Sequence, residues 1–337
     1  RIKLDLTQNT HSPDFFIKGI LNADISALSR AITLVESQRE EHQLLAQQII
    51  DGVISHTGKS FRLGITGVPG VGKSTFIESF GKTLLARGHK LAVLAIDPSS
   101  TKSRGSILGD KTRMEELSSK PEVFIRPSPS SGTLGGVTRT TYQALLLCEA
   151  AGFDFILIET VGVGQSEVAV SKITDFFLLL MLAGAGDDLQ GIKRGIMEMA
   201  DAMLITKADG SNMENAKAAR SEYARAMHLL QAPESGWTPR VLTCSAVDNI
   251  GMNEVYDMIE EYRLFSASND YFFENRKKQQ YELFLNNLEE NLKQKFYSDR
   301  TVQKKIEEIK TSSTSYTFSL AKKILEDFLS NGKSIEK

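Results

Sequence analysis

The sequence is poor in several features that would point to particular chemistries. It has only two cysteines, Cys148 and Cys244, each in an apolar or small-residue setting and without a C-x-x-C spacing. That usage fits a reducing cytoplasm better than a disulfide framework. The five histidines, His11, His42, His56, His89 and His228, are scattered, and none lies within a few residues of a cysteine. The thiolate–imidazole pair that a soft or borderline metal requires is therefore missing. Net charge is also small, −2 with an isoelectric point near 6.3. Without a net basic field the chain is not expected to bind nucleic acid or an anionic membrane, and any polyanion it holds must be small and locally gripped. Long hydrophobic runs are lacking too. The most apolar one, Phe176 to Ala185, is about half the ~20 residues a membrane-spanning helix needs and reads as a buried strand. No N-terminal signal pattern is visible, although the chain opens on Arg1 rather than Met, so a removed targeting segment stays open. There is no internal repeat and no low-complexity tract.

What is present is length and alternation. At 337 residues the chain exceeds the usual single core of about 100 to 200 residues, which predicts one large domain with helical extensions, or two domains. From Ile25 to Ile54 apolar residues recur at helical spacing, which predicts an N-terminal helical arm over residues 1–60. From Arg62 onward short β-branched runs alternate with helical segments, the pattern of an α/β fold with a mostly parallel central sheet covered on both faces. The expected strands are Arg62–Gly67, Leu91–Asp97, Val123–Arg126, Phe155–Glu159, Phe176–Ala183, Ala202–Thr206 and Val241–Cys244. Helices are expected to start near Lys73, Thr138, Ser166, Gly191 and Met213. This order continues to about Tyr262 and bounds a domain over 61–262. Beyond it, Glu, Lys, Gln and Asn surround Leu283, Leu288, Leu292 and Phe296 in a helical region over 263–337. The Ser/Gly/Pro-rich stretch from Pro127 to Gly136 is long for a connection and is expected to be a functional loop.

The segment Gly67-Val68-Pro69-Gly70-Val71-Gly72-Lys73-Ser74, followed by Thr75, matches G-x-x-x-x-G-K-[ST] between a strand and a helix, the P-loop arrangement. Each residue type has a mechanical reason. The glycines let backbone N–H groups turn onto phosphates. Lys73 supplies a cation to the β/γ-phosphates, Ser74 a hydroxyl ligand for Mg²⁺, and the helix its positive dipole end.

A P-loop hydrolase also needs carboxylates at strand ends, because Mg²⁺ prefers oxygen ligands. Asp97 and Glu159 end two expected strands. Glu159-Thr160-Val161-Gly162 is a Glu version of D-x-x-G, whose Gly162 N–H can sense the γ-phosphate. Between them, Ser103 to Arg113 mixes charge with glycine and reads either as a switch loop, with Asp110 a third candidate Mg²⁺ carboxylate, or as a solvated loop. Gln165 is a candidate for positioning water.

Thr206-Lys207-Ala208-Asp209 is similar to the N-K-x-D guanine motif. Asp209 would accept from the ring N–H and exocyclic amine of guanine, and Lys207 would lie along the base plane. Thr206 stands where the motif has Asn, which removes a loop-bracing amide and puts guanine selectivity in question. Ser245-Ala246 after the last strand resembles the loop that contacts the guanine carbonyl through backbone N–H groups. GTP/GDP is the nucleotide expected.

With Ala95-Ile96-Asp97-Pro98-Ser99-Ser100, Ile107 to Met114, Glu159 to Glu167 and Ala183 to Lys193 in view, the chain closely resembles the MeaB/ArgK family of GTPases. The resemblance runs from the N-terminal helices through Tyr262 and is expected to include the helical tail. It implies a Mg²⁺-dependent GTPase that serves as chaperone to an adenosylcobalamin-dependent acyl-CoA mutase, of methylmalonyl-CoA mutase type, gating cofactor loading and protecting the mutase. It also implies a homodimer formed through the C-terminal helices, and an additional switch in the loop Gly184 to Lys193, where Asp187 and Lys193 could pair differently between nucleotide states. Two alternatives compete. A nickel-type metallochaperone is disfavoured by the scattered cysteines and histidines. A protein kinase of a transport system would need an acceptor hydroxyl and a base beside the γ-phosphate, for which no dedicated motif is seen.

Overall fold

All seven runs expected as strands form strands, and the central ones, buried along their length, are what a sheet covered on both faces requires. The computed structural model describes residues 12–97, 114–129, 134–160, 165–184, 194–311 and 317–332. The strands are β1 (Phe61–Gly67), β2 (Leu91–Asp97), β3 (Val123–Pro129), β4 (Phe155–Thr160), β5 (Phe176–Leu182), β6 (Ala202–Thr206) and β7 (Arg240–Thr243). They lie in the order β3-β2-β4-β1-β5-β6-β7, every neighbour parallel.

The helices in chain order are α1 (Pro13–Leu21), α2 (Ile25–Val35), α3 (Glu40–Val53), α4 (Lys73–Ala86), α5 (Glu115–Ser118), α6 (Leu134–Ala150), α7 (Gln165–Ser171), α8 (Arg194–Glu198), α9 (Met213–His228), α10 (Met252–Ser268), α11 (Tyr271–Ser298), α12 (Arg300–Thr311) and α13 (Phe318–Gly332). The N-terminal arm is three helices. Asp24 caps the second, its carboxylate accepting from the Ser26 and Ala27 N–H groups.

Period-two burial explains the layers. Leu63 and Ile65 of β1, Leu157 of β4 and Leu178 and Leu180 of β5 point to one face. There they meet Phe76, Ile77 and Phe80 of α4 and Val255, Met258 and Tyr262 of α10. Leu179 and Met181 of β5 and Met203 and Ile205 of β6 face the other way, against Ala216 and Tyr223 of α9.

One stretch departs from the sequence expectation. Pro127 to Pro129 are not loop but the last three residues of β3, paired with Ala95 to Asp97 of β2. β3 is an edge strand, so prolines that cannot donate to a ladder are tolerated on its outer side. The following helix begins at Leu134, one turn before the expected Thr138.

The chain divides into two compact bodies, residues 1–279 and 280–337. The first includes the start of α11, and a buried ionic network shows why. Arg276 donates to both carboxylate oxygens of Asp175, at 2.7 and 2.6 Å, and to the carbonyls of Gly58 and Ser60. Asp175 also accepts from the Arg62 N–H at 2.8 Å. The Arg62 guanidinium donates to Glu149, which accepts further from Ser60 Oγ and the Gly58 N–H. Burial opposes the Glu149 charge, but Arg62, Ser60 and Gly58 more than offset it and hold the carboxyl below its usual range. In the second body, Phe296 packs edge-on against Phe328, and Lys305 pairs with Asp327. No described helix is long and apolar enough to cross a membrane.

Candidate nucleotide-binding site

β1 lies between β4 and β5, with later strands extending to either side of it. Such a reversal leaves a crevice at the carboxyl ends of the strands, where α/β sheets bind ligands. The glycine-rich segment leaves β1 at this point. Gly67 has φ +153°, and a Cβ there would sit 2.5 Å from the Leu180 carbonyl oxygen of β5. Only glycine lets the loop pass that close to the neighbouring strand. Gly72, at φ +98°, starts α4, and no side chain caps that helix. The first-turn N–H groups of a 14-residue helix thus face the crevice without a side-chain acceptor, the arrangement that receives phosphate oxygens.

Lys73 is buried and donates to the Gly67 and Val68 carbonyls at 2.8 and 3.3 Å, which folds its ammonium over the loop. Burial lowers its pKa, while Glu159 and Glu167 oppose that shift. Ser74 Oγ donates to Glu159 Oε1 at 3.4 Å. The hydroxyl of the P-loop and the carboxylate ending β4 therefore share one corner of the site. Beside them a buried hydroxyl pair, Thr160 Oγ donating to Thr66 Oγ at 2.9 Å, ties the ends of β4 and β1 together. A hydroxyl and a carboxylate in contact are hard oxygen donors, which fits Mg²⁺. Thr75 is exposed on the first turn of α4.

The residues expected from the sequence to recognise the base form a second cluster. Ser245 Oγ, fully buried, donates to Asp209 Oδ2 at 2.6 Å and accepts the Asp248 N–H. The Ala208 N–H donates to the Cys244 carbonyl, and Asn212 Nδ2 donates to the Lys207 carbonyl, which fixes the turn after β6. Lys207 stands in the left-handed region at φ +55° and extends its ammonium to the Gly70 carbonyl at 3.0 Å. Ser245 and Ile250 exchange both backbone hydrogen bonds, so the Ser245 N–H is already used within its own loop.

Thr206 does more than its motif position promised. Its hydroxyl lies 2.8 Å from the Val71 carbonyl and 3.2 Å from the Met181 carbonyl, so the P-loop is braced from β6 after all. A further tie was not legible in any motif. Ser79 of α4 donates to Asn249, itself at φ +55°, and so links the phosphate helix to the loop after β7.

Among the sequence-derived candidates, the structure brings Lys73, Ser74 and Glu159 together, and separately Asp209 and Ser245. Lys207 and Thr206 connect the two groups through the P-loop carbonyls. Asp97 ends β2 and Gln165 begins α7, as strand and helix ends, but their side chains lie outside the described residues. Asp110, Gly162, Asp187 and Lys193 lie outside the described residues altogether. Sequence reading missed Glu167 as a contributor of negative charge near Lys73 and the Thr66–Thr160 pair. Their polar identity within buried segments was the only signal available.

Comparison with known proteins agrees with this geometry. The family model for methylmalonyl Co-A mutase-associated GTPase MeaB matches residues 28–301. A probable GTPase of Mycobacterium tuberculosis is 50% identical over 291 residues, covering 86% of this chain and 87% of that protein. The GTPase ArgK of Escherichia coli is 49% identical over 247 residues, covering 73% and 75%. The mitochondrial methylmalonic aciduria type A homolog of Mus musculus is 45% identical over 303 residues, covering 87% and 73%. A solved structure titled as an LAO/AO transport system kinase superposes with a TM-score of 0.75 at 34% identity, over 95% of this chain and 99% of that one.

Proposed function

The chain belongs to the MeaB family of GTPases, and from that premise we propose that it is a Mg²⁺-dependent GTPase acting as chaperone to an adenosylcobalamin-dependent acyl-CoA mutase of the methylmalonyl-CoA mutase type. The observation that carries the reading is the joining of a P-loop to an Asp209–Ser245 base clamp within a family described as mutase-associated over residues 28–301.

In this reading the guanine edge pairs with the Asp209 carboxylate, whose second oxygen is oriented by Ser245. Because the Ser245 N–H is used by Ile250, Ala246 is the residue of that pair whose N–H serves the guanine carbonyl. The backbone from Gly67 to Gly72 and the first turn of α4 cradle the phosphates. Lys73 exchanges the Gly67 and Val68 carbonyls for β/γ-oxygens. Ser74, with Asp97, Asp110 and Glu159 as its carboxylate partners, would hold Mg²⁺, which neutralises charge on the transferring phosphate. The Gly162 N–H senses the γ-phosphate, and Gln165 is retained as the residue orienting water. Asp187 and Lys193 carry the state of the nucleotide to the mutase.

Residues 1–60 form the arm, 61–262 the GTPase domain and 263–337 the helical region through which two copies associate. The exposed Phe284, Leu288 and Leu292 of α11 support that last assignment. The two buried free thiols, Cys148 and Cys244, support a cytoplasmic setting.

The test is co-purification of the full chain with adenosylcobalamin-dependent mutases, followed by GTP hydrolysis with and without the mutase. Binding together with stimulated phosphate release is expected. Absence of both, with every mutase of this cofactor class, would reduce the claim to a GTPase of another client. The kinase title of the solved relative gives a second reading, which γ-labelled GTP separates: label on protein favours a kinase, free phosphate a GTPase.

A further inference from the structure

Thr206 occupies the position where the guanine motif calls for Asn, and its hydroxyl is engaged by carbonyls of the P-loop and β5. It is buried, with Oγ 2.8 Å from the Val71 carbonyl and 3.2 Å from the Met181 carbonyl. A hydroxyl has one proton to donate, whereas a carboxamide has two. The shorter distance assigns that proton mainly to Val71, whose carbonyl is two residues before Lys73. Among the described residues, the hydrogen bonds of the Thr206 side chain go to Val71 and Met181, and the base cluster is held by other contacts. Asp209 is held by Ser245, the Ala208 N–H by the Cys244 carbonyl, and the Lys207 carbonyl by Asn212.

We propose that Thr206 is a positioning residue for the phosphate loop and takes no part in choosing the base. Its hydroxyl fixes the Val71 carbonyl, and with it the peptide leading into Gly72 and Lys73. The departure from N-K-x-D therefore leaves guanine selectivity intact, and loss of the hydroxyl weakens every nucleotide that carries β-phosphate by the same factor. This rests on the guanine-nucleotide reading above, and the experiment separates the two.

Equilibrium binding to the full chain would be measured with a fluorescent GDP analogue, with GTP, GDP, ITP and XTP as competitors, alongside thermal unfolding without nucleotide. A hydrogen bond in such a setting contributes about 1–1.5 kcal/mol, so Thr206→Val should bind GTP and GDP roughly tenfold more weakly. The GTP:ITP affinity ratio should stay unchanged, and Thr206→Ser should restore parental binding. Thr206→Ala removes the hydroxyl without placing a methyl group against the Val71 carbonyl. It carries the same expectation, so the result does not hang on one variant folding. Parental affinity in both hydroxyl-free variants, or an altered GTP:ITP ratio, would overturn the proposal. Asp209→Asn, expected to shift preference from GTP to XTP, tests the guanine reading by itself. If it leaves the preference unmoved, the base assignment fails while the Thr206 comparison still stands on phosphate affinity.

Discussion

Ser245 Oγ donates to Asp209 Oδ2 at 2.6 Å, joining residues that lie in separate loops after β6 and β7. The contact takes one lone pair of the carboxylate, and under the guanine reading proposed above the remaining acceptors would receive the two N–H donors of the base.

Removing that hydroxyl should loosen base recognition without touching phosphate binding. A hydrogen bond to a charged group contributes about 1.5–3 kcal/mol, so Ser245→Ala should weaken GTP by on the order of tenfold or more. The GTP:ITP affinity ratio should fall, because the exocyclic amine of guanine is what a wandering carboxylate loses. Competition binding against both nucleotides checks this. The contrast with Thr206, where affinity should fall at constant ratio, makes the pair a joint measurement.

Ser74 and Glu159, 3.4 Å apart, give a prediction about metal. Even a group that only supports a metal ligand costs roughly 10–100-fold in metal affinity when lost, so Ser74→Ala should raise the Mg²⁺ concentration for half-maximal GTP binding by at least that much. Binding of GDP in the presence of a chelator should change little. A Mg²⁺ titration of nucleotide binding that is identical in variant and parent would remove Ser74 from the metal site.

At the opposite end of the sheet, Arg276 and Asp175 form an ion pair that is buried on both sides. Taking away one partner strands the other charge, at a cost of about 3–5 kcal/mol. Arg276→Ala should therefore lower the midpoint of urea unfolding clearly. Arg276→Lys should recover only part of the loss, since an ammonium cannot serve Asp175, Gly58 and Ser60 with a planar fork. Equilibrium unfolding followed by circular dichroism tests both variants.

Asp201, before β6, yields a pH dependence of unusual sign. Its Oδ2 accepts the Phe177 N–H at 2.8 Å, yet burial pushes the carboxyl up to about 7, and the Asp175 charge adds to the rise. In the unfolded chain an Asp titrates near ~3.9. Between these values the folded state holds more protons than the unfolded one, so this group's contribution is fully present below ~3.9 and lost as pH rises through about 7. Glu149, held low, acts the other way and costs stability only as pH falls below its unfolded range. Asp201→Asn should flatten the decline of unfolding free energy between pH 4.5 and about 7. An unchanged slope in the variant would contradict the assignment.

The sequence by itself determined the strand–loop–helix of the P-loop, because G-x-x-x-x-G-K-S constrains backbone angles and charges within a few consecutive residues. It determined the positions of all seven strands, the central ones as short apolar runs that only a doubly covered sheet can bury. Glu159, Asp209 and Ser245 were legible for the same local reason, each ending or following such a run. The MeaB membership was equally legible from contiguous stretches such as Glu159 to Glu167. Local signal misjudged Pro127 to Pro129, where edge position rather than propensity decides whether a proline can sit in a strand.

What only the tertiary structure decided is how these pieces hold one another. Residues 135 positions apart, Thr206 and Val71, meet because β6 lies two strands from β1 and the loop leaving β1 passes against the intervening β5. No pattern within either segment encodes that distance. The same holds for Ser79 with Asn249 and for Arg276 with Asp175. Thr206 looked like a defect in a guanine motif because a motif records residue types in line. In three dimensions its hydroxyl supplies the brace that the missing amide would have given.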